Sequence, residues 1–106
     1  SPVVDQAALT IDVRVIRAPN KLVTLTLEAA WDWETRTGVP LKSVLRKIPK
    51  KDWISVPIPL RCFLKDNEGF DFSKLTGIQL QTGGKMQLEI SDLRLTAFPA
   101  DKVNCG

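Results

Sequence analysis

The chain has no histidine and no tyrosine, and only two cysteines in 106 residues. Without histidine, Ser-His-Asp and Cys-His nucleophilic schemes lack their general base within the chain. Histidine-based zinc sites fall with them, and two widely spaced cysteines do not make a structural zinc site. A phosphate-binding loop is missing too. Thr82-Gly83-Gly84-Lys85 has a lysine after two glycines but not the required spacing, so it reads as a turn. These absences leave no cofactor and no resident metal to expect. No apolar run nears the ~20 residues that span a bilayer, so no membrane span is expected. No basic, apolar, small-residue leader opens the sequence. Ser1-Pro2-Val3-Val4 reads as an excised or processed start.

An excess of charge of either sign is also lacking. Fifteen basic and 12 acidic residues leave a net charge of +3, which neither demands nor excludes nucleic acid. The one basic cluster is Lys42, Arg46, Lys47, Lys50 and Lys51. No stacking or groove-reading residues interleave with it, so a solvated helix face is expected and nucleic acid is not.

What is present is a hydrophobic fraction of 43% and a charged fraction of 25%, ordinary for one globular domain. Leu9, Ile11, Val13 and Val15 alternate with polar residues, as do Val23, Leu25 and Leu27. Period two predicts two half-buried strands. The turn cluster Ala18-Pro19-Asn20-Lys21 between them makes a hairpin the simplest pairing. The pattern breaks between Thr35 and Gly38. Pro40 suits a first helical turn, and Leu41, Val44, Leu45 and Ile48 follow at helical spacing until Pro49. Trp53 opens an apolar strand in which Ile54, Val56, Ile58 and Leu60 share a face, and Trp53 itself is expected in the core. Pro57 and Pro59 make this an edge strand or a broken ladder. Asp71–Leu75 predicts a short helical turn. Ile78, Leu80 and Thr82 form a strand, Gly83-Gly84 a tight hairpin turn, and Met86, Leu88 and Ile90 another strand. Leu93 and Leu95 fall on the other parity, so a β-bulge is expected at Ser91-Asp92. Six short strands with turns between them fit a sandwich. Cys62 and Cys105 either bridge, closing a loop of about 40 residues, or remain a buried thiol and a loose one.

The order Lys51–Phe63, Asp71–Thr82 and Met86–Leu95 resembles the C-terminal sandwich of ExoP-type family 3 glycoside hydrolases. Ala8–Val15, Val23–Leu27 and Pro40–Pro49 extend the likeness over roughly residues 8 to 97. The resemblance implies an all-β, galactose-binding-like jelly-roll sandwich with one or two short helices. It implies a single domain over residues 1–106, a C-terminal fragment of a larger multidomain enzyme that lacks leading strands. The function implied is that of a non-catalytic accessory domain of a β-glucosidase or exo-1,3-1,4-β-glucanase. Its partners would be the catalytic domains of the same polypeptide, β-glucan oligosaccharides, or a second copy in a homo-oligomer. Its compartment would be the periplasm or the exterior. An independent carbohydrate-binding module for β-glucans is the alternative. One departure is plain: where relatives carry cysteines and glycines after the second strand, this chain has Ala29-Ala30-Trp31-Asp32-Trp33.

No catalytic residues are assigned. Trp31 and Trp33, with Glu34 and Arg36 as hydrogen-bonding neighbours, form the candidate carbohydrate-binding group. Indole faces stack on the apolar face of a pyranose while polar groups take its hydroxyls. The competing reading places both rings in the core or against a neighbouring domain. Asp32 and Glu34 are the nearest thing to a glycosidase carboxylate pair, with a solvated loop pair as the expected reading. Asp66, Glu68 and Asp71 offer hard oxygens but lack a calcium-loop spacing. Asp92 is a further isolated candidate for calcium.

Overall fold

A computed structural model describes residues 5–105; Ser1–Val4, read above as a processed start, and Gly106 lie outside the described residues. Among the described residues six strands form two antiparallel sheets. The strands are β1 (Ala7–Arg17), β2 (Val23–Ala29), β3 (Asp32–Pro40), β4 (Trp53–Pro59), β5 (Leu75–Thr82) and β6 (Gln87–Ala97). One sheet has the order β4-β1-β6, the other β3-β2-β5. Helix α1 (Lys42–Lys47) follows β3, and helix α2 (Leu60–Leu64) follows β4. A 3-10 turn covers Phe72–Lys74 and another Ala100–Lys102. The expected all-β sandwich with short helices is the fold observed.

The core is built from the two central strands. Leu9, Ile11, Val13 and Val15 of β1 and Val23, Leu25 and Leu27 of β2 are all buried. Each such side chain contributes roughly 1.5–3 kcal/mol on burial. Partners opposite them in the antiparallel ladders share their face. Ile58 lies opposite Leu9 and Val56 opposite Ile11. Val39 and Leu80 flank Leu25. Phe63 of α2 closes one end and is fully buried; its carbonyl accepts a bond from the buried Thr37 hydroxyl.

Several expectations are corrected. β1 and β2 do not form a hairpin; they lie in different sheets. Their apolar rows are identical in kind to those of a hairpin, but both rows need covering, and facing each other covers both. The Gly83-Gly84 turn likewise carries the chain from one sheet to the other rather than closing a paired hairpin. The pattern break at Thr35–Gly38 lies inside β3, an edge strand with only Thr37 and Val39 buried. Pro40 ends β3 instead of opening the helix. Val44, expected on the buried helix face, is exposed, while Leu41 and Leu45 are buried. Trp53 is half exposed rather than core. It lies opposite Arg14, on the parity that faces outward, and the Arg14 guanidinium sits 5.5 Å from its ring centroid.

Other expectations hold. β4 is an edge strand, as its prolines require. Asp71 caps the Phe72–Lys74 turn through its side chain. The bulge falls at Ser91: Asp12 pairs with Asp92 and Val13 with Ile90, leaving Ser91 without a partner. The slip returns Leu88, Ile90, Leu93 and Leu95 to the inward side, opposite Val15, Val13, Ile11 and Leu9. On the outer side Arg94 bridges Asp12 at 3.0 Å and Asp92 at 2.9 Å. The Ser55 hydroxyl donates to Asp12 at 2.6 Å and, followed by Arg94, holds that carboxyl below its ordinary range.

Cys62 and Cys105 are bonded, with Cα atoms 5.4 Å apart and a sequence separation of 43. Val103 and Cys105 pack on the core through this tie. On the chain-entropy account a loop of that length is worth about 4 kcal/mol. Replacing both cysteines by alanine should therefore lower the unfolding free energy by about 3–4 kcal/mol in urea titrations. Reductant should lower the wild type to the same level and leave the variant unchanged. A wild type indifferent to reductant would rule out this role.

Candidate tryptophan hairpin at one end of the sandwich

The four candidate residues all lie on the β2–β3 hairpin and its margin, and all are exposed. Ala29 pairs with Asp32, so only Ala30 and Trp31 form the turn. Both have positive φ, 55° and 57°. That is the signature of a type I′ turn, usually made by Asn, Asp or Gly because other residues are strained there. An alanine and a tryptophan in these positions cost about 1 kcal/mol each relative to relaxed backbone.

The surrounding structure imposes the turn. The Ala30 N–H donates to the Lys74 carbonyl at 2.8 Å, and the Trp31 N–H to Thr76 Oγ1 at 3.0 Å. The Thr35 hydroxyl accepts from the Ala29 N–H at 3.1 Å and lies 2.7 Å from the carbonyls of Ala29 and Asp32. It stands in for ladder bonds lost where β3 bulges. Between the pairs Leu27–Thr37 and Ala29–Asp32, residues 33–36 lie opposite the single Glu28. The bulge is braced from behind, where the Asn67 side-chain amide donates to the Arg36 carbonyl at 3.2 Å.

Trp31 stands at the tip, 83% exposed. Trp33, 42% exposed, carries the Arg36 guanidinium 5.1 Å from its ring centroid. Arg36 also donates to the Trp33 carbonyl at 3.1 Å. One face of Trp33 is thus occupied by Arg36. Glu34 projects from the bulge, and its N–H is taken by Asp32 Oδ1 at 3.0 Å. Asp32 therefore braces a local turn, not a carboxylate pair. Thr35, Thr76 and Lys74 were missed by sequence reasoning. A threonine within a broken alternation pattern is the only local hint of the first, and nothing in sequence links the other two to position 31.

The remaining candidates do not converge. The Asp66 carboxylate accepts from the Gly38 N–H at 3.0 Å. Asp71 takes the Ser73 hydroxyl at 2.6 Å and its N–H at 3.0 Å; with Lys74 adding attraction, these hold its carboxyl below the ordinary range. Asp92 is engaged by Arg94. Among the described residues no three Asp, Glu, Cys or His side chains gather as a metal site. Lys42, Arg46 and Lys47 lie on α1 and Lys50 and Lys51 follow it; all but Lys42 are exposed, and Arg46 donates to the Pro19 carbonyl at 2.9 Å.

Residues 2–95 match the family model Exop_C, described as galactose-binding domain-like. The chain belongs to that family. No significant match to a curated protein or to a solved structure was found. Family membership agrees with the two-sheet architecture and with a small carbohydrate-binding-like accessory module. The Exop_C chain carries Trp31 on a hairpin whose turn residues are atypical for the turn they make.

That strain is measurable. Ala30→Asn, which tolerates positive φ, should raise the unfolding free energy by about 0.5–1 kcal/mol. Trp31→Ala should change it by less than about 0.5 kcal/mol, since little of the ring is buried. Loss of stability in Ala30→Asn would show that the turn is not strained.

Proposed function

We propose that this chain is the non-catalytic accessory sandwich of a multidomain family 3 glycoside hydrolase, a β-glucosidase or exo-1,3-1,4-β-glucanase. In this reading its hairpin tip docks against the catalytic domains of the same polypeptide. The observation that carries the reading is Trp31, held 83% exposed on a turn that its own sequence disfavours. An exposed tryptophan offers up to ~200 Å² of surface, worth several kcal/mol once covered at ~25 cal/mol per Å². The bonds that the Ala30 and Trp31 N–H groups donate to Lys74 and Thr76 hold the turn from which the ring is offered. Retaining hydrolysis of β-glucosidic bonds by a pair of carboxylates would belong to the preceding domains. The role here is to brace those domains and contribute to the rim of their cleft. Leading strands of the sandwich would lie in the same polypeptide. The Cys62–Cys105 bridge favours an oxidising compartment, the periplasm or the exterior.

A second reading rests on the same ring. An exposed indole with Arg36 and Glu34 nearby suits stacking on a pyranose, which would make the chain an independent module for β-glucan oligosaccharides. The two readings diverge under titration with laminari- and cello-oligosaccharides. Under the accessory reading, tryptophan emission of the isolated chain does not shift saturably. A saturable shift that Trp31→Ala abolishes, with no change in oligomeric state, would establish the module instead.

Both readings place the chemistry elsewhere. The isolated chain should not hydrolyse an aryl-β-glucoside. Turnover abolished by a single carboxylate substitution, such as Glu34→Gln or Asp71→Asn, would overturn both.

A further inference from the structure

The two sides of the sandwich are finished differently. β3 and β4 border one side. There β4 carries Pro57 and Pro59, which remove two backbone donors, and β3 bulges by residues 33–36. The C-terminal tail lies on that side as well. Asn104 and Cys105 line the same groove as Val39, Ile54 and Ile58, and the disulfide fastens the tail there. Prolines, bulges and a covering segment are the means by which sheet edges are blunted against further pairing.

Among the described residues the β5/β6 side has no proline and no covering segment, and its blunting is confined to bulges, at Ser91 of β6 and beside Gly77 of β5. β6 runs for 11 residues and β5 for eight, without a proline in either. The inward row of β6 holds Leu88, Ile90, Leu93 and Leu95, with no charge among them. Yet Ile90, Leu93 and Leu95 are 47%, 42% and 62% exposed. Beneath them a slot of about 190 Å³ runs between the sheets, lined by Ile11, Val13, Ile78, Leu80, Ile90 and Leu93 among others. The outward charges of β6 are already satisfied. Glu89 pairs with Arg14, and Arg94 pairs with Asp12 and Asp92.

We propose that β6 is the seat for one further β-strand: an extended polypeptide segment with apolar side chains at alternate positions, supplied by the larger protein to which the accessory reading assigns this chain. Its backbone bonds the free edge of β6, and its apolar row enters the slot over Ile78 and Leu80. A period of two is required because successive strand side chains face opposite ways. Size favours a strand over a second copy. The uncovered row amounts to a few apolar side chains, whereas a standard protein–protein interface takes ~20–30 residues a side. The entry of the chain is well placed for such a segment. The Phe98 N–H donates to the Gln6 carbonyl at 2.8 Å, so Gln6, at the entry to β1, lies beside the C-terminal end of β6. Only the source of the strand rests on the accessory reading.

The test uses the full 106-residue chain and a synthetic peptide of residues 7–17. That sequence already pairs antiparallel with β6 on its inner edge. The control peptide has the same composition with its apolar residues at helical spacing. Saturable one-to-one binding is expected, with slowed hydrogen exchange at the β6 amides that point away from β1, while the chain stays monomeric. Leu93→Lys and, separately, Leu95→Lys should each weaken binding by at least about tenfold. Equal binding of the control, or no slowing at β6, overturns the proposal. Self-association through β6 without peptide also overturns it, since the occupant would then be a second copy. None of these failures touches the accessory reading, which the behaviour of Trp31 decides.

Discussion

The inward rows of β1 and β2 meet between the sheets, and the other elements take their places from that contact. Leu9, Ile11, Val13 and Val15 on one strand and Val23, Leu25 and Leu27 on the other are each buried. A single antiparallel ribbon of these two strands would leave both rows on one face and in water. Placing them in opposite sheets removes both at once, which is why the link at Ala18–Leu22 crosses the sandwich. Each central strand then accepts one neighbour on either side. The sheets β4-β1-β6 and β3-β2-β5 follow.

A three-on-three sandwich has four edges, and the way each is treated separates scaffold from surface. Prolines guard β4. A bulge and the fastened tail guard the side it shares with β3. The same bulge lets the β2–β3 hairpin depart from regular pairing and hold a tryptophan outward at one end. Segment 63–76 supports that end through Phe63, Asn67, Lys74 and Thr76, each bonded to β3 or to the turn. Strain at Ala30 and Trp31 is therefore sustained by contacts far away in sequence. Backbone of this kind persists only where its surroundings over-determine it.

Much of this was legible in the residues and some was not. Alternation alone identified the central strands, because both have one buried row and regular polar partners. It did not say which strand pairs with which, since rows that pack face to face look the same as rows that pair side by side. The Ser91 bulge was legible because it reverses the parity of a long apolar series. β3 was obscured because an edge strand with four bulged residues buries too few side chains to show a period. Trp53 was misjudged on its size. Its parity, opposite to Ile54, Val56 and Ile58, already pointed outward. Trp31, Trp33, Glu34 and Arg36 are neighbours in sequence and lie on one hairpin. The turn that presents them was hidden, because Ala-Trp carries none of the glycine or asparagine that marks a type I′ turn.

The account turns on whether the ring at the hairpin tip is offered to another domain. Its most direct test is the emission of Trp31 as the sole tryptophan, with Trp33→Phe and Trp53→Phe, in the isolated chain and in the multidomain enzyme that the accessory reading proposes. The account predicts solvent-exposed, readily quenched emission from the chain alone, and blue-shifted, quencher-resistant emission in that proposed enzyme. Equal exposure in both would contradict it.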